Sequence, residues 1–291
     1  MTAPTLLSQL SSAIVDVAAA AAPSIVEVAS RRSLASGFVW REGLIVTADE
    51  TLADEGEVLV EFSDGAQHQV KIVGRDASTD IALLAVEGVA THSATLSLDP
   101  PRAGALVVVA AAAESAPLVT LGGAIAVGPA WRSMRGGQID ARIELDLRLR
   151  RRAEGGLALD ADGRAIGMAV RGPRGRTLVI PAATIERVAP LLLEHGAIPR
   201  GYVGLGLNEV EVAGHGHGAI VMSVDPHGPG AAAGILQGDV ILHWDGAPVR
   251  SAHRLVRTLD HASIGRSIAL TLRRGGQDIE TSVTVGTRPR G

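Results

Sequence analysis

Between Arg150 and Gly167 the chain reads Arg-Arg-Arg-Ala-Glu-Gly-Gly-Leu-Ala-Leu-Asp-Ala-Asp-Gly-Arg-Ala-Ile-Gly, and this stretch constrains its fold more than any other. Gly155-Gly156 turns the chain into an apolar strand, Asp162-Gly163 makes a hairpin turn, and a second apolar strand returns from Ala165. From Val58 onward the pattern is again one of short strands, with turns expected at Ser63-Asp64-Gly65 and Gly74-Arg75-Asp76. Further strands are expected over 105–112, 119–127, 139–149 and 157–170. Such spacing predicts a mainly β fold of barrel type.

A chain of 291 residues has room for two domains. Hydrophobic residues make up 46% and aromatic ones only 2%, so the core is built from Val, Leu, Ile and Ala. The net charge of −4 gives no reason to expect nucleic acid or an anionic membrane as a partner. With no Cys, the chain has no disulfide, no thiolate metal site and no cysteine nucleophile. No basic residue precedes the apolar part of the N-terminus, Asp16 interrupts the Ala-rich run, and the longest unbroken apolar stretch is Ala105 to Ala113. That stretch falls well short of the roughly 20 residues that span a bilayer, so a cytoplasmic location is expected, or a periplasmic one if a leader has been removed.

Taken in order, residues 6–22 carry Leu6, Leu10, Ile14 and Val17 at helical spacing and stop at Pro23, and 24–29 alternates as a strand. Ser36-Gly37-Phe38-Val39 follows, then a hairpin through Arg41-Glu42-Gly43 and the run Leu44-Ile45-Val46-Thr47-Ala48-Asp49-Glu50. Thr79-Asp80-Ile81-Ala82-Leu83-Leu84 comes next, and Thr177-Leu178-Val179-Ile180-Pro181 ends the strand-rich part. Residues 182–195 read as a helix with Ile185, Val188, Leu192 and Leu193 on one stripe and Gly196 as its stop signal. Beyond it lie Arg200-Gly201-Tyr202-Val203-Gly204-Leu205, Gly218 to Val224, Gly228-Pro229-Gly230-Ala231-Ala232-Ala233-Gly234-Ile235 and Gln237-Gly238-Asp239-Val240-Ile241.

Through these motifs the sequence resembles the HtrA/DegP-type branch of the trypsin-like serine proteases, over nearly its whole length. The resemblance implies a trypsin-like pair of six-stranded barrels over 1–180, a linker helix over 181–199, and a PDZ domain over 200–288. It also implies where the catalytic triad belongs. The family's histidine stands three residues after the Thr of the Leu44–Glu50 run, where this chain has Glu50, and its serine falls at Glu154. Of the triad positions, only Asp80 keeps its family identity. Arg152 occupies a further family glycine, whose N–H helps to form the oxyanion hole.

Peptide hydrolysis by such a triad needs a hydroxyl, an imidazole and donors aimed at the oxyanion. A glutamate with a reference pKa of ~4.3 is a weak base for activating a hydroxyl at neutral pH. A carboxylate nucleophile would have to form an anhydride. The expectation is therefore a catalytically inactive scaffold or chaperone-like assembly factor with no catalytic residues and no cofactor. The alternative is an enzyme: an HtrA-type serine endopeptidase with a non-standard site, or a carboxylate-based, metal-dependent hydrolase. Grouped by the fold, Glu50, Asp80 and Glu154, with Asp49 beside them, would be solvated relics, would share protons or pair with Arg148, Arg150, Arg151 or Arg152, or would hold a hard divalent cation. No bound metal is expected.

The arginines 148, 150 and 152 would share one face of a strand, either solvated or facing an acidic partner segment. His215-Gly216-His217 reads as a solvated loop pair rather than a metal site. The PDZ resemblance implies capture of a protein or peptide with an apolar C-terminus. Tyr202, Val203, Gly204 and Leu205 would form the carboxylate loop, and Leu255 and Leu259, at i and i+4 of a helix over 251–260, the pocket wall. Family members form trimers through an aromatic-bearing N-terminal segment. Residues 1–30 contain no aromatic residue, which argues against that trimer while leaving a homo-oligomer open.

Overall fold

Runs such as Phe38-Val39-Trp40 and Ile81-Ala82-Leu83-Leu84 are apolar at every position because their strands are buried on both faces. The computed structural model describes residues 5–31, 33–53, 56–113 and 116–289, and the chain divides into two units, 1–198 and 199–291.

In the first unit, α1 (Leu6–Ala21) is capped by the Thr5 hydroxyl and leads through Pro23 into β1 (Ile25–Ala29). With β2 (Leu34–Arg41), β3 (Leu44–Thr47), β4 (Val58–Glu61), β5 (Gln67–Asp76) and β6 (Ile81–Ala85) it closes a barrel in the order β1-β2-β3-β6-β5-β4. A second set comprises β7 (Leu106–Ala113), β8 (Ala116–Gly128), the small hairpin β9 (Trp131–Arg132) and β10 (Gln138–Ile139), β11 (Arg142–Leu145), β12 (Leu157–Leu159), β13 (Ala165–Arg171) and β14 (Thr177–Pro181). Apart from β9 and β10, these close a second barrel in the order β11-β14-β13-β12-β7-β8.

Alternate residues divide between two destinations. Val39, Ile45, Ala82 and Leu84 fill the first barrel, and Val107, Val109 and Ala111 the second. Their neighbours Phe38, Trp40, Leu83, Val108 and Ala110 pack into a shared core between the barrels, joined by Leu157, Leu159, Met168 and Val170. The barrel interiors and this seam give the unit three apolar clusters from one alternating pattern.

Two expectations are corrected here. Gly74-Arg75-Asp76 is not a turn but the end of β5, where a bulge after Ile72 lets the Arg75 N–H reach the Gly196 carbonyl at 3.1 Å. The turn falls at 77–80 instead, organised by Asp76, whose carboxylate accepts the Ser78 hydroxyl at 2.7 Å and the Thr79 hydroxyl at 2.6 Å. The strand expected over 139–149 breaks after Leu145, because the Leu149 N–H goes to the Thr177 hydroxyl and the Asp146 N–H to Gly123, so Arg148, Arg150 and Arg152 share no strand face. The helix expected as a linker, α2 (Ala182–His195), docks on the first unit, with Ile185, Val188, Ala189 and Leu192 in the seam and Leu193 exposed. Glu186 fastens it by accepting from the Trp40 indole at 2.6 Å and Arg41 at 3.1 Å.

The second unit contains β15 (Gly201–Tyr202), β16 (Leu205–Val212), β17 (Gly216–Val224), α3 (Pro229–Ala232), β18 (Val240–Trp244), β19 (Ala247–Pro248), α4 (Ala252–Val256), β20 (Ser267–Arg274), β21 (Gln277–Thr284) and β22 (Gly286–Thr287). Its main sheet runs β16-β17-β18-β20-β21, with β19 added on β18, so β16 is an edge strand. Its core gathers Ala219, Val221, Ile241, Trp244, Leu270, Leu272 and Val283.

Candidate functional site

The loop from Arg150 to Gly156 is the one that the sequence resemblance assigns to the nucleophile. Arg151–Ala153 forms one 3-10 turn, and Gly155, at φ 89°, passes so close to β2 that an added Cβ would stand 2.0 Å from the Ser36 carbonyl oxygen. The Ser36 N–H donates to the Glu154 carbonyl at 2.9 Å, its hydroxyl donates to the Arg152 carbonyl at 2.6 Å, and the Gly155 N–H donates to Ala169 at 2.9 Å. Glycine and serine thus hold the framework.

Glu154 is only 2% exposed, and its carboxylate accepts from Arg171 Nε at 2.8 Å and from the Arg171 backbone N–H at 3.2 Å. Its own N–H, which a nucleophile residue would aim at an oxyanion, donates to the Arg151 carbonyl at 3.2 Å. Glu50 is exposed on the short 3-10 turn after β3; its carboxylate pairs with Arg135 at 3.1 Å, and its N–H donates to Asp80 Oδ1 at 2.8 Å. Asp49, buried beside it, takes Arg75 Nε at 2.5 Å.

Asp80 holds a left-handed backbone at φ 57°. Burial pushes its carboxyl up to about 7; the Glu50 N–H bond opposes this, and the nearby charges of Glu50, Glu154 and Asp49 add to it. Asp80 therefore lies within electrostatic reach of Glu50, Glu154 and Asp49. Arg171 pairs with Glu154, Arg135 with Glu50 and Arg75 with Asp49. Hairpin arithmetic could have found the first. β12 and β13 pair Leu157 with Met168 and Ala158 with Gly167, which places the segment before β12 beside the end of β13, where Arg171 stands. Among the described residues, no three His, Asp or Glu side chains are grouped so as to hold an ion. The histidines of the 215–217 pair part company: the His215 ring meets His243 edge-on at 5.0 Å, while His217 is exposed.

In the second unit, Tyr202, Val203, Gly204 and Leu205 form the bend between β15 and the edge strand β16. The Val203 carbonyl accepts the Gly230 N–H at 2.7 Å and the Gly204 carbonyl the Asp225 N–H at 2.8 Å. Among the described residues, the N–H groups of Val203 and Gly204 have no acceptor. The helix expected over 251–260 is shorter. α4 ends at Val256, because the Thr258 N–H and hydroxyl both fold back on the Leu255 carbonyl. Leu255 consequently sits in the core, whereas Leu259 lies past the helix, half-buried like Leu205 and Leu207.

Residues 35–168 match the trypsin-like peptidase domain family, and residues 201–285 match the PDZ domain family. A solved serine endoprotease from Yersinia pestis superposes with a TM-score of 0.73 at 25% identity, covering 99% of this chain and 100% of that one. This is the HtrA-type architecture, a trypsin-like double barrel followed by a PDZ domain. The HtrA-type protease AlgW with a tripeptide aligns at 26% identity and a TM-score of 0.69, over 96% of this chain and 98% of that one. A probable periplasmic serine endoprotease, DegP-like, from Halomonas elongata is 31% identical over 89% of this chain and 57% of its own length. The chain thus spans little more than half the length of the curated relatives it matches.

These relatives are named periplasmic, and the cytoplasmic expectation finds no support among them. The stretch Leu6–Ser24 is also long and apolar enough to cross a membrane by length and composition. It holds no long unbroken apolar run, because Gln9, Asp16 and several serines are spaced along it.

Proposed function

We propose that this HtrA-type chain is a catalytically inactive scaffold that binds a protein or peptide through its PDZ domain, in the extracytoplasmic setting its relatives' names describe. The observation that carries the reading is the buried Glu154, held by Arg171 at the nucleophile's position with its own N–H turned onto the Arg151 carbonyl. Acyl transfer there would need a hydroxyl, a basic imidazole and a free oxyanion donor. The first two are replaced by carboxylates at Glu154 and Glu50, and the Glu154 N–H is already engaged.

The binding half of the proposal rests on β16. An edge strand can take an extended segment as an added strand, and the adjacent Val203 and Gly204 N–H groups suit a terminal carboxylate. Leu205, Leu207 and Leu259 offer the apolar surface for a last side chain. The test treats the purified chain with a fluorophosphonate probe and offers it unfolded casein. No labelling and no cleavage are expected.

A second reading has one observation in its favour, the name serine endoprotease borne by the relatives. On that reading some other hydroxyl is activated. Labelling of any serine by the probe would establish it and end the scaffold reading.

A further inference from the structure

Asp225 is central to the bend that precedes β16. Asp225, at the end of β17, makes four hydrogen bonds around it: its N–H to the Gly204 carbonyl at 2.8 Å, its carbonyl from the Gly228 N–H at 2.9 Å, its Oδ1 from the His227 N–H at 3.0 Å, and its Oδ2 from the Tyr202 hydroxyl at 2.8 Å. Gly204, left-handed at φ 71°, lies against Gly228 so closely that a Cβ on either would come within 3.0 Å of the other's Cα. The bend between β15 and β16 is therefore stacked directly on the turn between β17 and α3, and Asp225 pins the two together from both backbone and side chain.

The consequence falls on the next peptide groups. With the Gly204 and Val203 carbonyls turned inward to Asp225 and Gly230, the bend leaves the Val203 and Gly204 N–H groups without acceptors. The Asp225 carboxylate is itself occupied by the His227 N–H and Tyr202 hydroxyl, which hold it below the usual carboxylate range, while the bond to Asp225 holds the Tyr202 phenol above its usual range. Its charge is thus directed at these donors.

We infer that Asp225, acting through Tyr202, is the positioning residue that shapes the 202–205 bend and so sets a preference for a free C-terminal carboxylate over a neutral chain end. This rests on the peptide-binding reading above. A loop that has lost its pin would still present an open strand edge, but not two donors converging on one anion. Affinity for an acid end should therefore fall while affinity for an amide end stays unchanged.

The experiment titrates the full chain with a ten-residue peptide ending in Leu-Val, once as the free acid and once as the C-terminal amide. Wild type binds the acid more tightly. Asp225→Ala and Tyr202→Phe each weaken the acid about tenfold, as expected for loss of a hydrogen bond to a charged group, and leave the amide as it was. The double variant is no weaker than Asp225→Ala alone. Asp225→Asn, whose amide oxygen can still accept from the Tyr202 hydroxyl, recovers most of the loss. Equal weakening of acid and amide, or tighter binding of the acid by Asp225→Ala, overturns the inference. Should wild type bind neither peptide, the groove reading falls and this inference with it; should wild type prefer the acid and the variants bind as it does, this inference alone falls.

Discussion

Arg171 Nε stands 2.8 Å from Glu154 Oε2, where the loop that leads into β12 meets the end of β13. The pair is asymmetric, since the Glu154 side chain is 2% exposed and the Arg171 side chain 49%. A carboxylate buried this deeply depends on its partner, whereas the half-solvated guanidinium can turn to water. At the position that the sequence resemblance assigns to a nucleophile, the structure holds an ion pair.

That asymmetry predicts unequal losses. Arg171→Ala strands a buried carboxylate and should lower unfolding stability by about 3 kcal/mol, whereas Glu154→Gln keeps an acceptor and should lower it by about 1 kcal/mol. Urea denaturation of the two variants measures both. Equal losses would show that water reaches Glu154 in solution.

Rebuilding the triad tests the same loop chemically. On the proposed mapping, Glu50→His with Glu154→Ser supplies the triad side chains, but the N–H at 154 still donates to the Arg151 carbonyl within the 3-10 turn. One missing oxyanion donor costs on the order of 100-fold in turnover. Adding Arg152→Gly frees the backbone to re-aim it, so the triple variant should react with the fluorophosphonate far faster than the double one. Equal rates would mean that the 3-10 turn does not limit the loop.

The fold was legible because its strands are short, alternating and punctuated by Gly and Asx turns, and because Ser36-Gly37-Phe38-Val39 and Thr79 to Leu84 carry a recognisable framework. The grouping of Glu50, Asp80 and Glu154 followed from the same motifs. What escaped was longer in range. Arg135 and Arg75 meet Glu50 and Asp49 through loop and bulge geometry that no local pattern encodes. The shortness of α4 was hidden for a different reason: Thr258 competes for the Leu255 carbonyl, and the spacing of Leu255 and Leu259 cannot reveal that competition.

Asp80 gives the chain an unusual pH dependence. Its carboxyl, raised by burial to about 7 when folded, binds a proton that the unfolded chain has already released above about pH 4. Between those values the folded state holds more protons, so this group's contribution falls as pH rises and levels off above pH 7. Asp80→Asn removes the term and tolerates the left-handed backbone at φ 57°. Thermal unfolding from pH 4.5 to 7.5 should decline less in the variant than in wild type. A parallel decline would assign the loss to other groups.

The edge strand gives a last prediction. If the segment that binds β16 ends in an apolar residue, its side chain must rest among Leu205, Leu207 and Leu259, all half-buried against the second unit's core. Leu255 lies within that core, so changing it would damage folding as well as binding. Leu259→Asp places a charge where the ligand's last side chain would lie while leaving the core intact. Burial of one aliphatic side chain contributes about 2 kcal/mol, so affinity for an apolar-ended peptide should drop roughly 30-fold, with the melting temperature little changed. Calorimetric titration of the full chain reads the first quantity and differential scanning calorimetry the second. A fall in melting temperature with unchanged affinity would move the pocket away from Leu259.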